Sequence, residues 1–392
     1  MAATKLPFHA DHIGSFIRPA SLFETQKRAD KGEVTASDLQ AAQLAAIADI
    51  VSKQRAHGVC SLTSGEFDRK YYFSGFFEKI TGCREVSPVP WELTRLSAPP
   101  IAALKRNGQQ YPMAALCEAK MSYDSSPYLE NWRMLRDTLP KEQWAECKFT
   151  MPPPCYFHLR LAPGKCYSPQ AYASDQDFFA DLAEVYRREI RTLFDEGLRN
   201  LQIDDPTLAY FCSDEMRESL RADGVDPDEL FELYLKAHND CIADRPDGLH
   251  VGLHICRVDA LQRRLVRENR RALLRHPQLR HLLPRIRQPS LGGFEPLRFL
   301  PKHKNVVLGV VTTKDPELED PEVIKRRVRE AAQIIAEGQG RSAEDVMENI
   351  GISPQCGFAS VSVGADGMTE EKMFAKLRLV KDVARELWPD RL

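Results

Sequence analysis

The chain lacks several features, and each lack narrows the reading. No apolar run reaches the roughly 18 residues that a membrane-spanning helix needs, so no helical membrane span is expected. The first residues, MAATKLPFHADHIGS, carry neither an apolar secretion core nor a small-residue cleavage site. That points to a cytoplasmic protein. Ten cysteines are scattered without framework spacing, so they are expected to be reduced, serving as core thiols or ligands rather than staples. Charge of one sign is also lacking. With 54 basic and 56 acidic residues the net charge is −2, which argues against a general nucleic-acid partner. There is no internal repeat and no linker. What remains is ordinary globular composition, 43% hydrophobic and 28% charged over 392 residues, enough for one large core.

Short β-rich runs alternate with long helical patterns. The core runs begin near residues 8, 59, 147, 198, 249, 306 and 349. Helical periodicity separates them, at 37–57 (Ser37 read as N-cap, Gly58 as stop), 175–196, 228–244, 321–337 and 370–387. Tyr111–Cys117 reads as an extra strand or hairpin. PPPCYF after residue 151 reads as loop, because three prolines cannot join a sheet. Seven strands alternating with helices imply a parallel sheet, and an eighth would close a (β/α)8 barrel spanning 1–392 as a single domain. His12, Glu66, Asp204, Cys256 and Cys356 fall at or near strand C-terminal ends, the face where such barrels do chemistry.

Two stretches carry that chemistry. GLHVGLHIC ends in His254 and Cys256, spaced two apart, so that in a strand both point to one face. ISPQCGF brings Cys356 from another strand end. One imidazole and two thiolates can make a zinc site that still needs a fourth ligand. Where that ligand should lie, the text turns anomalous. Residues 257–291 hold ten arginines and no lysine, no β-rich run, and Pro284 inside the best candidate strand. A basic exposed helix over 260–275 is the bland reading, and an arginine patch for RNA or phosphate is a sharper one without the interleaved aromatics that would support it.

HADHIGSFIRP, SGEFDR, LQIDDP, HIC, GFEPLRFLP, VVLGVVTTK and ISPQCGF together resemble the cobalamin-independent methionine synthase family, in particular its short relatives that match the C-terminal catalytic half. The resemblance covers nearly the whole chain apart from 257–291. It implies a (β/α)8 barrel of the methionine synthase/uroporphyrinogen decarboxylase type, with its sixth βα unit disrupted at about 257–291. It also implies Zn2+ held by His254, Cys256 and Cys356 with a Glu from the sixth strand. That Glu normally lies in text like YLEYD. His281–Leu291, HLLPRIRQPSL, is what TYYLEYDSPRS becomes when its codons are read one base out of frame, and 258–268 is compatible with SMHFSEGSYE read with the same offset. Residues 258–291 therefore read as a frame-shifted segment, which resequencing of the transcript would test. Taken as written, the chain is expected to lose its sixth strand, to expose unpaired edges and to keep three protein ligands for zinc.

The same resemblance implies roles for other residues. Ile13, Gly14 and Ser15 match the segment that holds the substrate carboxylate. Glu66 and Asp204 match the catalytic acids that bind its ammonium, with Asp205 where longer relatives carry Glu. The substrates implied are homocysteine, or a related thiol, and a methyl-folate donor. The family's proton-donating His after the seventh strand is replaced by Thr313 and Lys314, which leaves the donor open. Transfer to another thiol, and a defective product lacking the zinc-ligand Glu, stand as alternatives. Cys60, Cys117, Cys147, Cys155, Cys166, Cys212 and Cys241 are expected as small buried hydrophobes, and Arg69 and Lys70 as solvated.

Overall fold

The structure, a computed structural model, describes residues 5–255, 281–284, 293–359 and 367–391. Two sheets form among them. A hairpin pairs β1 (Thr81–Val86) with β2 (Ala114–Ser122) in antiparallel register. The main sheet is parallel and runs β3 (Phe149–Met151), β4 (Asn200–Asp204), β5 (His250–Ile255), β6 (His281–Pro284), β7 (Asn305–Val311) and β8 (Ile350–Pro354), in sequence order. β4, β7 and β8 are buried throughout, as expected of a parallel sheet covered on both faces; β7 accordingly reads as a near-continuous apolar run, whereas β4 buries Asn200, Gln202 and Asp204 between its apolar residues.

The expected first two strands do not form ladders. Each is reduced to a one-residue parallel bridge, Ala10 to Ile352 at the β8 edge and Leu62 to Cys147 at the β3 edge. The two segments meet through other bonds. Ser61 Oγ donates to Asp11 Oδ1 at 2.6 Å, Thr63 Oγ1 to the Gly14 carbonyl at 2.8 Å, and the Phe16 N–H to the Gly65 carbonyl at 3.1 Å. The polar content of ADHIGS and SLTSGE accounts for this, since side chains there satisfy backbone groups that a ladder would otherwise take.

The expectation that the sixth strand is lost is overturned. His281–Pro284 pairs with β5 along its length (Gly252↔His281 to Ile255↔Pro284) and with β7 at its first two residues. Proline is tolerated because it ends the strand, beyond the last β7 pairing. The β5 edge is thus paired over Gly252–Ile255, and the β7 edge at Asn305 and Val306. The rest of the arginine-rich segment, 257–280 and 285–291, lies outside the described residues, as does the frame-shift reading for those positions.

The helices form where periodicity places them, with local differences. Ala36–Ala56 is capped by Thr35 rather than Ser37: Thr35 Oγ1 accepts the Asp38 N–H and the Asp38 carboxylate accepts the Thr35 N–H, a reciprocal capping box. After the three prolines the chain does not stay loop but forms a short helix, Tyr156–Arg160. Asp175–Asp195 buries Phe178, Phe179, Leu182, Tyr186, Ile190 and Leu193, a three- and four-residue stripe against the sheet. No described helix is long and apolar enough to cross a membrane.

Candidate functional site

The segment Ile13–Ser15 is threaded through the C-terminal end of the sheet by backbone acceptors. The Ile13 carbonyl accepts from Gln202 Nε2 at 2.7 Å, the Gly14 carbonyl from Thr63 Oγ1 at 2.8 Å, and the Ser15 carbonyl from the Phe358 N–H at 3.0 Å. Gly14 has φ 135°, and a Cβ there would lie 2.8 Å from Thr150 Cγ2 and 3.9 Å from Glu66 Oε1. Only glycine lets the backbone come this close to both. Ser15 is buried and its Oγ has no partner.

Glu66 follows Gly65 in the left-handed region, with φ 62°, a strained conformation for a side chain of this size. Arg18 clamps the turn, its Nη2 donating to the carbonyls of Glu66 and Arg69 at 3.0 Å each. The strain aims the carboxyl inward. Oε1 accepts from Thr150 Oγ1 at 2.9 Å, while Oε2 is buried without a partner. Burial pushes this carboxyl up to about 7; Arg69 opposes that rise, and the nearby Asp204 adds to it. A carboxyl raised by burial is stabilised in its ionised form by a nearby positive charge, so this one is suited to bind a cation.

Arg69, expected in solvent, is buried: Nε meets Asp68 at 3.1 Å and Nη1 donates to the Thr150 carbonyl at 2.9 Å. Lys70 is exposed as expected and pairs with Asp30 at 2.7 Å. His12 is also buried, with Nε2 2.5 Å from the Ser61 carbonyl. Burial and the neighbouring Lys148 ammonium push it down to about 4, so its ring is a neutral structural element near neutral pH.

Asp204 ends β4 and is the register partner of His254 on β5, so the two side chains share a face. The Asp204 carboxylate contacts His254 Nδ1. The other ring nitrogen, Nε2, points at a backbone carbonyl, to which it can only donate. It lies 3.3 Å from the carbonyl of Gln355, the residue before Cys356. A carboxylate on one imidazole nitrogen is how metal-binding histidines are oriented. Cys356 is buried just past β8. Cys256 lies outside the described residues. Of the three ligands expected from the sequence, His254 and Cys356 are thus among the described residues, and the strand between β5 and β7, His281-Leu282-Leu283-Pro284, offers no carboxylate. Glu295 is exposed and pairs with Arg298 at 3.1 Å, away from any such role.

A second cluster lies immediately behind. Cys155, Asp205 and His238 are buried and their ligand-type atoms all lie within 4.8 Å of one another. Asp205 Oδ2 is 2.9 Å from His238 Nε2, at an angle unsuited to a hydrogen bond, and 3.5 Å from Cys155 Sγ. Its Oδ1 accepts the Thr207 N–H at 2.6 Å. Burial is the largest influence on Asp205 and raises it, but the close His238 imidazole and the Thr207 hydrogen bonds outweigh burial and hold the carboxyl below its usual range. The trio is chemically able to hold a metal or to stand as an ion pair that shapes the loop after β4. Cys155 is thus not the purely apolar thiol expected from the sequence.

The geometry links Gly14, Ser15, Glu66, Asp204, His254 and the Cys356 turn in one neighbourhood at the sheet's C-terminal end. Sequence reasoning missed Thr150, Gln202, Arg18 and Arg69, which hold those residues, because their roles arise from cross-strand neighbours 50 to 190 positions away. Two further buried hydroxyls have no hydrogen-bond partner, Thr313 Oγ1 past β7 and that of Tyr72, whose ionisation is pushed up chiefly by burial.

No family model matches the chain. The Bacillus subtilis protein YxjH is 33% identical over 98% of this chain and 96% of its own length. A methionine synthase of Thermococcus kodakarensis is 21% identical over 96% of this chain and 93% of the relative. Among solved structures, a Listeria monocytogenes protein assigned as a candidate vitamin-B12 independent methionine synthase superposes with TM-score 0.72 at 26% identity, covering 99% of both chains. A B12-independent methionine synthase of Shewanella superposes with TM-score 0.66 at 15% identity over 99% of both chains, a likeness of fold. Full-length coverage and the co-located motif residues agree: the chain belongs to the cobalamin-independent methionine synthase family, as one of its short relatives.

Proposed function

We propose that the chain is a zinc-dependent methyltransferase of the cytoplasm that methylates the sulfur of homocysteine from a 5-methyltetrahydrofolate-type donor, giving methionine. In this reading the six-stranded sheet and its two bridged edge segments close as a (β/α)8 barrel. His254, Cys256 and Cys356 would hold the zinc; bound there, the metal supplies the charge that keeps a thiol sulfur deprotonated near neutral pH, where a free thiol with pKa about 8.5 is mostly protonated. The observation that carries the reading is the Asp204-held imidazole of His254 facing the Cys356 turn.

The other residues supply recognition. The orphaned Oε2 of Glu66 and the Asp204 carboxylate offer negative charge to the substrate's ammonium. The unpartnered Ser15 Oγ, beside the backbone of Ile13 and Gly14, suits its carboxylate. In the transfer the S–CH3 bond forms as the donor's N–CH3 bond breaks, and the donor nitrogen takes up a proton. Thr313 stands where the family carries its proton donor, and its buried hydroxyl has no partner. That observation favours, as a second reading, a donor or acceptor thiol different from those of the long enzymes.

The test is metal analysis of the purified chain together with methyl transfer to homocysteine from several donors. About one zinc per chain, lost on chelation together with transfer, supports the reading. Folded, zinc-loaded protein that methylates no thiol from any donor would remove it.

A further inference from the structure

The hairpin outside the candidate site carries two cysteines in register. Cys83 on β1 is the antiparallel partner of Cys117 on β2. Neither backbone N–H bonds across the pair: that of Cys83 goes to the Ile80 carbonyl at 3.0 Å and that of Cys117 to the Cys166 carbonyl at 3.0 Å. The pair is therefore of the non-hydrogen-bonded class, in which opposing side chains stand closest, within the span a disulfide can bridge. Both thiols are reduced. They line one small cavity with Cys166 beside Phe77, Phe157 and Phe178. Cys83 is partly exposed and Cys117 buried. Cys166 is one residue off Tyr167, the position that bridges to Cys117, so it is out of register for the same bond.

We propose that Cys83 and Cys117 form a thiol–disulfide site, closed by exchange with a small-molecule disulfide. The partly exposed Cys83, as its thiolate, attacks the small disulfide RS–SR, forming Cys83–S–S–R and expelling RS−, which takes up the proton that Cys83 released. The Cys117 thiolate then attacks the Cys83 sulfur, the Cys83–Cys117 bond forms, and the second RSH leaves. Two protons and two electrons pass from the cysteine pair to the small disulfide. The Cys117 thiol donates to the Ala119 carbonyl at 3.0 Å; neighbouring Cys83 lowers Cys117 from its ordinary range, which suits Cys117 to the second, ring-closing attack, while Cys83, which is raised, enters the first step as the more accessible of the two. Closure ties the two strands together beside the bulge, where the register shifts between Thr81 and Cys83.

The full chain is equilibrated with hydroxyethyl disulfide, quenched, denatured and alkylated, and its thiols are counted by intact mass. The expected result is a fall from the ten thiols of the sequence by two. Peptide mapping should show Cys83 joined to Cys117, dithiothreitol should reverse it, and Cys166→Ser should keep it. Slower hydrogen exchange over 81–86 and 114–122 should accompany oxidation. The mapping uses the unsubstituted chain, so no variant has to fold. The proposal is overturned if the native chain keeps Cys83 and Cys117 as free thiols while the urea-unfolded chain oxidises in the same buffer. A crosslink from either cysteine to Cys166 overturns it equally.

Discussion

Glu66 shows how much one residue can report. Its carboxyl is raised from 4.5 to about 7, chiefly by burial. Between those values the folded chain holds a proton that the unfolded chain has released, so stability falls as pH rises across that window. The full effect is about 3 kcal/mol. Glu66→Gln keeps the shape and removes the ionisation. Urea unfolding of the two chains should therefore agree near pH 4.5 and diverge as pH rises, with the Gln chain the more stable by pH 8. Superimposable profiles would mean that the carboxyl ionises in the fold without cost. An amino-acid ammonium would reverse the penalty, so substrate affinity of the parent should rise through the same window and that of the variant should not.

Asp204 gives the second prediction at this scale. Replacing it with Asn leaves His254 Nδ1 an oxygen acceptor without charge. Chelator competition should then show zinc affinity lower by roughly 10–100-fold, the usual effect of removing a carboxylate that orients a metal-binding histidine. Unchanged zinc affinity with weaker substrate binding would return Asp204 to a purely substrate-facing role.

Elements obey the same physics with larger lever arms. Gly338 lies in the helix Pro321–Gln339, where alanine would ordinarily gain about 1 kcal/mol over glycine. Here a Cβ would fall 1.9 Å from the Arg298 carbonyl oxygen, and that neighbour is backbone, which cannot swing aside. Steric cost wins: Gly338→Ala is expected to destabilise by about 1–3 kcal/mol, read as a lower urea midpoint at unchanged slope. A gain in stability would show that Glu295–Phe299, the turn carrying Arg298, yields freely. Helices of this kind were legible from periodicity; the closing helix Glu370–Leu387 begins and ends where its apolar spacing says. The hairpin was legible too, as an extra strand near Tyr111–Cys117. The edge segments were not, because alternating apolar and polar residues in FHADHIGSF read as a strand, while their hydroxyls and carboxylates take the bonds a ladder needs. Arg69 was misplaced for a related reason. Its charge alone suggests solvent, and the Asp68 and Thr150 partners that permit burial become visible only when β3 is brought alongside.

At the scale of the whole molecule, continuity of the sheet depends on four residues. β6 is the shortest link between β5 and β7, and no apolar β-rich run in the sequence announces it. Leu282 pairs on both sides, with Leu253 and Val306. Proline there removes one ladder hydrogen bond from a strand with neighbours on both edges and leaves an acceptor unpaired, costing on the order of 1–3 kcal/mol before the ring's own clashes are counted. The damage should not stay local. With β6 displaced, β5 and β7 gain bare edges, and His254, which rides on β5, loses its fixed place opposite the Cys356 turn. Leu282→Pro is therefore expected to lower and broaden the thermal transition and to reduce zinc retention together, whereas Leu282→Ile, a good strand former, should match the parent in both. If the proline chain melts like the parent, the β5 and β7 edges are stable without this strand, and the arginine-rich segment can be replaced without regard to sheet pairing. If it melts early but keeps zinc, the metal ligands are held by the strand ends alone, independent of the sheet between them.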